Sequence, residues 1–259
     1  MPARRQVRTT GMEEPMNKKN MTMQNALAAS NEAYKQAPGI LLFQSDVLPD
    51  ADIRFNSWLQ QEELPALLAI PGFRRARRYR AVEAQPTYLT VYDCDEVGVL
   101  ASPAYRKRDD PAGPAAREIA AALRNPLHIA CSETWAVGRG TGGGAVLVQC
   151  RATTREREGD ARSFLRDAFA PPLMRADHVV RIALWEADDV LVAAGHAAGP
   201  AHWMLFIETL DLSRTMLALH AHVLSCVGAH TGLLISTWAK YQLMFECEAG
   251  PAPVTPQRT

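Results

Sequence analysis

Between Ile40 and Cys247 the hydrophobic residues change period in a fixed order, strand-helix-strand-strand-helix-strand, and then run through that order again. Ile40 to Val47 (ILLFQSDV) is a short apolar run of strand type. Asp52 can cap a helix whose apolar positions are Ile53, Phe55, Trp58 and Leu59, continuing to Leu67 and Leu68. Ile70-Pro71-Gly72 ends it, because proline cannot continue a helix and glycine permits a left-handed exit. Strands follow at Phe73 to Val82 and Tyr88 to Asp93, split by Gln85-Pro86. A helical stretch broken by Pro111 and Pro114 resumes as Ala115 to Leu123, and Leu127 to Val137 is the fourth strand. After Gly138-Arg-Gly-Thr-Gly-Gly-Gly144 the second round begins with a strand, Ala145 to Ala152. A helix, Asp160 to Phe169, is stopped by Pro171-Pro172. Strands at His178 to Glu186 and His202 to Glu208, a helix from Leu212 to Val227 and a strand from Gly232 to Cys247 complete it.

One such unit lays two helices on one face of a four-stranded antiparallel sheet and leaves the other face bare. Bare apolar strands must be covered, so two units in one chain are expected to cover each other, sheet to sheet, as one α+β body. Two local matches support the repeat. Ser132-Glu-Thr-Trp-Ala136 and Ile235-Ser-Thr-Trp-Ala239 share Thr-Trp-Ala, and Tyr88-Leu-Thr-Val-Tyr-Asp93 aligns with Trp203-Met-Leu-Phe-Ile-Glu208. The expected organisation is a mobile arm over 1–36, a first unit over 37–137, a glycine-rich linker over 138–144, a second unit over 145–248 and a disordered tail over 249–259.

The chain has 259 residues, with Lys+Arg 28 against Asp+Glu 28, so no global field favours nucleic acid or an anionic membrane as partner. No apolar run approaches the ~18 to 20 residues of a membrane helix, and the basic N-terminal stretch lacks the apolar core of a secretory signal. The five cysteines are widely spaced without a CxxC, which suggests neither a disulfide framework nor a thiolate zinc site. A cytoplasmic protein is the expectation.

Phe55-x-x-Trp58, Glu62-Glu63-Leu64-Pro65, Pro71-Gly72-Phe73, Arg77-Arg78-Tyr79, Pro86-x-Tyr88-Leu89 and Leu100-x-Ser102-Pro103-x-Tyr105 resemble the dimeric α+β barrel superfamily, and within it the EthD-type bacterial proteins. The resemblance covers about residues 39 to 137 in sequence and 143 to 247 by element order. It implies two tandem ferredoxin-like βαββαβ units forming an intramolecular, pseudo-dimeric α+β barrel. Relatives usually carry histidine after the paired glutamates, where this chain has Leu64. The superfamily holds cofactor-free oxygenases, isomerases and dehydratases, haem-degrading enzymes and chlorite dismutase-type haem proteins. Fold alone does not choose among them.

Several residues could carry chemistry in that frame. Glu62, near the end of the first helix, would be a general base if turned toward Trp58, and is otherwise a solvated helix end. Tyr88, Thr90 and Tyr92 share one strand face and could orient a carbonyl or phenol. The arginines at 74, 75, 77, 78 and 80 split between both faces of their strand, and Arg78 is a candidate for an anionic group. His202 opens its strand and joins Glu62 and Tyr92 as a catalytic candidate, while Trp58, Arg78 and Tyr88 are the substrate-binding candidates. His220 falls within the stripe Leu212, Met216, Val223 and Val227 and is expected to face the sheet, as a core histidine or an axial haem ligand, with His222 toward solvent. Three readings stay open: a small-molecule protein acting without cofactor on a carbonyl or aromatic metabolite, a haem protein using His220, and a non-catalytic binding or assembly module. Edge strands leave homo-oligomers open too.

Overall fold

A computed structural model describes residues 37–107, 114–187, 203–226 and 232–250. The arm expected over 1–36, the final residues 251–259, and His202 lie outside the described residues. Among the described residues there are eight strands: β1 (Gly39–Val47), β2 (Phe73–Val82), β3 (Tyr88–Cys94), β4 (Leu123–Gly138), β5 (Gly144–Ala152), β6 (Val179–Ala187), β7 (Trp203–Thr209) and β8 (Leu233–Glu248). They form one closed antiparallel barrel in the order β1-β3-β2-β8-β5-β7-β6-β4. Each half contributes four neighbouring strands, and two seams join the halves, β2 with β8 and β4 with β6.

Strand parity decides where each side chain goes. On β1, Ile40 and Leu42 enter the barrel, while Leu41 and Phe43 face the helices. Leu89, Val91, Leu147, Trp185, Met204, Phe206 and Tyr241 fill the barrel with them. The bare faces of the two units therefore meet inside the ring, and closure leaves no free sheet edge. Arg77 joins the halves within this interior. Its guanidinium is fully buried and reaches Glu208 at 2.7 Å and Asp93 at 2.8 Å.

Helices cover the outer faces. In the first half α1 (Asp52–Trp58) runs into a π-helical turn (Leu59–Glu63) and then α2 (Leu64–Leu68). Short α3 (Pro103–Arg106) and α4 (Pro114–Ala122) follow β3. The second half has α5 (Glu158–Phe164), a π-helical turn (Leu165–Phe169), α6 (Ala170–Met174) and, after β7, α7 (Leu212–Cys226). Both π turns precede a proline, Pro65 and Pro171. Proline offers no N–H and its ring clashes with the carbonyl four residues back, so the preceding turn widens. The Leu64 and Ala170 amides accordingly donate five residues back, to the Leu59 and Leu165 carbonyls. Pro171-Pro172 was expected to stop its helix; the widened turn lets it continue to Met174. Gly72 leaves the first helix at φ +94°, as the Pro-Gly pair predicts.

Strand pairing corrects one alignment. Trp135 pairs with Leu184 across the β4–β6 seam, whereas Trp238 pairs with Val148 of its own half. The β4 residue in Trp238's place is His128, opposite Phe43. The shared Thr-Trp-Ala is thus out of structural register. The other match is in register, since Tyr88 and Trp203 each open the third strand of a half.

Candidate functional site

Beneath α1, the outer face of β2 and β3 carries polar groups where the surrounding layer is apolar. Helical spacing puts Phe55 and Leu59 against the sheet and Asn56 beside them, half-buried. Strand parity sends Arg78, Tyr88, Thr90 and Tyr92 up to meet them. The Arg78 guanidinium donates to Thr90 Oγ1 at 2.7 Å and Asn56 Oδ1 at 3.3 Å. It lies 4.2 Å from the Tyr88 ring centre and 4.9 Å from that of Phe55. The Tyr88 hydroxyl donates to Asp52 at 2.6 Å and accepts from Asn56 Nδ2 at 3.0 Å.

Arg78 is completely buried, yet among the described residues no carboxylate comes within salt-bridge distance of it, and its Nε has no partner. Burial pulls its pKa down to about 10, against the weaker opposing influence of Tyr92, Tyr88 and Asp52. Tyr88 is pushed the other way, above the usual phenol value, by burial and by its bond to Asp52. The layer therefore combines a cation lacking a counter-ion with a neutral phenol donor.

The candidates named from sequence divide in this setting. Arg78, Tyr88 and Tyr92 are brought together on one face, all buried, with Tyr92 edge-on to Phe73 at 6.1 Å. Trp58 is half-buried and packs on the edge of the same core. Glu62 corrects its expectation. In the π turn only Leu59 is buried, and Glu62 is exposed, turned from the layer. Asp52, Asn56 and Thr90 were not singled out as site residues. The signal for the first two was their i,i+4 spacing beside apolar Phe55, which puts them on one helix face; Asn56 Nδ2 also donates to the Asp52 carbonyl at 2.9 Å.

The second half carries a related constellation. Arg162 on α5 lies 4.8 Å from the Trp203 ring centre. Unlike Arg78 it is paired: Nε reaches Glu186 Oε1 at 2.9 Å and Oε2 at 3.0 Å, Nη2 reaches Oε2 at 2.6 Å, and Glu158 lies at 3.1 Å. These bonds, Glu186 first, raise the Arg162 pKa.

His220 also departs from its expectation. The residues of α7 buried against the sheet are Thr215 and Leu219, which turns His220 outward, exposed and edge-on to Trp238 at 4.9 Å. His222 is the half-buried one, 4.8 Å from the Phe169 ring. Leu219 of α7 packs in one buried apolar cluster with Leu165, Phe169, Leu173, Trp203 and Leu205. An exposed His220 outside that cluster does not fit an axial ligand for a haem held between helix and sheet. Among the described residues no cluster of His, Cys, Asp and Glu is arranged to hold a metal ion, and no helix is long and apolar enough to cross a membrane.

No protein-family model matches the chain, and no curated protein matches it. Solved structures do. An anthrone oxidase-like protein aligns over 84% of this chain and 95% of its own at TM-score 0.59 with 9% identity. A provisional monooxygenase of Fusobacterium nucleatum aligns over 83% and 95% at TM-score 0.54 with 8% identity. A mutant chlorite dismutase of Candidatus Nitrospira defluvii, in complex with cyanide, aligns over 83% and 93% at TM-score 0.50 with 10% identity. At such identities the similarity is one of fold. These neighbours belong to the dimeric α+β barrel superfamily, and the chain has their fold.

Proposed function

We propose that the chain binds a small carbonyl or aromatic molecule between α1 and the outer face of β2 and β3, and acts on it without a cofactor. The observation that carries this reading is Arg78, a buried cation whose Nε has no partner and which, among the described residues, has no carboxylate within salt-bridge distance, set beside Asn56, the Tyr88–Asp52 pair and aromatic walls. A buried guanidinium held only by neutral groups costs stability, and a ligand that uses its charge would offset that cost. Arg78 would hold an enolate or phenolate oxygen beside Asn56, and Tyr88, kept neutral by burial, would shift its single donor bond from Asp52 to a second oxygen. Proton removal beside a carbonyl, with the Asp52 carboxylate taking the proton, followed by reaction with dioxygen suits that arrangement, and the anthrone oxidase-like neighbour suggests a probe. Anthrone and one dioxygen give anthraquinone and one water, so the conversion needs no further reductant.

The test is anthraquinone formation from anthrone under air, followed by absorbance. Turnover above the uncatalysed rate should fall by on the order of a hundredfold in Asn56→Ala and Tyr88→Phe. Equal rates in all three proteins would remove the catalytic part of the reading. We also read the two halves as tandem copies of one unit, and the chain as one that works in the cytoplasm.

A further inference from the structure

The two halves place a guanidinium at the same point by different routes. Arg80 stands opposite Tyr88 on the β2–β3 pair, and Glu186 stands opposite Trp203 on the β6–β7 pair, which fixes the equivalence of the two faces. The π turns fix the helices: Asn56 lies three residues before Leu59, as Arg162 lies three before Leu165. The first half therefore raises Arg78 from the strand onto Tyr88 and puts Asn56 above it. The second half lowers Arg162 from the helix onto Trp203 and has Leu184 where Arg78 would be.

Their charges differ in sign. Around Trp203 one arginine meets two carboxylates, Glu186 and Glu158. Around Tyr88 stand two arginines, Arg78 and Arg80 at 4.2 and 5.9 Å from the ring centre, and among the described residues the carboxylate bonded to this group is Asp52, which is engaged by the tyrosine hydroxyl. Glu186 shows what satisfies a guanidinium at this point of the fold: a planar carboxylate meeting two of its nitrogens. In the first half Arg80 stands at the position of Glu186, and among the described residues no carboxylate takes that role toward Arg78, whose guanidinium lies against the rings of Phe55 and Tyr88.

Building on the function proposed above, we infer that the first-half layer is a site for an aromatic carboxylate, filled once per chain, and that the second-half layer is closed to such ligands because Glu186 already pairs with the guanidinium there. Arg78 is the residue that selects for the carboxylate, and Asn56 and Thr90 hold its fork in place.

Calorimetric titration of the full chain at neutral pH with 2-naphthoate and with its uncharged isostere 2-naphthamide tests this. The expected result is one naphthoate per chain, with naphthamide weaker on the order of thirtyfold. Arg78→Met should bring naphthoate down to the naphthamide level, whereas Arg162→Met should leave its affinity unchanged. Two naphthoates per chain, or a dependence on Arg162 in place of Arg78, would overturn the inference. Equal binding of the two ligands would also overturn it while leaving a small-molecule site in the first half. Binding of neither would sink both. The naphthoate-to-naphthamide ratio in the unaltered chain decides the matter even if Arg78→Met does not fold.

Discussion

Arg77 and Arg78 are neighbours on β2, and both are withdrawn from water, one into the barrel and one under α1. Arg77 meets two carboxylates. Burial works against its charge, but Asp93 and Glu208 outweigh burial and hold its pKa above the ordinary value. Arg77→Met would leave buried Glu208 with the longer contact to Arg181 at 3.7 Å, and unfolding in urea should show a loss of about 3 kcal/mol. Arg78→Met strands no carboxylate, so the ligand-free protein should melt at an equal or higher temperature while losing its ligand. A fall as large as that for Arg77→Met would contradict the view of Arg78 as a residue kept for binding. At this scale strand alternation made Arg78, Tyr88 and Tyr92 legible as one face. Asn56 and Asp52 were harder to see, because a polar residue on a helix looks solvent-facing until a buried polar group is known to lie beneath it.

The helices show where periodicity succeeds and fails. Helix α7 carries apolar residues on both faces, with Leu217 and Leu224 exposed at 73% and 71%. Leu212, Met216 and Val223 of the expected stripe do pack on the core, but the buried face is centred on Thr215 and Leu219, and His220 lies beyond its edge. The π turns were illegible for another reason: one extra residue in a turn leaves no mark on composition, and a proline reads as a stop. They yield a sharp expectation. Deleting exposed Gln61 would return the turn to α geometry and press Pro65 against a carbonyl, costing about 3 kcal/mol. The same deletion combined with Pro65→Ala should cost much less, as chemical denaturation of both variants would show. Equal losses would mean that the proline does not shape the turn.

For the whole molecule, the order of elements was legible because each change of period is long and marked by proline or glycine. The exact register between halves was not, since a three-residue match cannot specify pairing that strand partners decide. The closed interior also sets the response to alkali. Burial pushes Cys150 from 9.0 up to about 12 and Tyr241 from 10.0 up to about 12. Between pH 9 and 12 the unfolded chain loses these protons and the folded one keeps them, so stability must fall as pH rises. Each group contributes a slope of about 1.4 kcal/mol per pH unit within its own window. Unfolding free energy should be level from pH 6 to 8 and drop steeply above 9, and Cys150→Ala should make the drop shallower. A stability that held level to pH 11 would contradict the burial of both groups.

The seam between β2 and β8 also orders events in time. A chain leaving the ribosome presents β2 early, but its partner across the seam, Leu233–Glu248, comes some 160 residues later. Until then β2 has an open edge, and Arg77 waits for Glu208 on the second half. Contacts of such long sequence separation form slowly, so the nascent protein passes through a stage in which a half-ring stands exposed. The first half must therefore be guarded during synthesis by its own helices or by a chaperone, and the ring closes only with the arrival of its last strand.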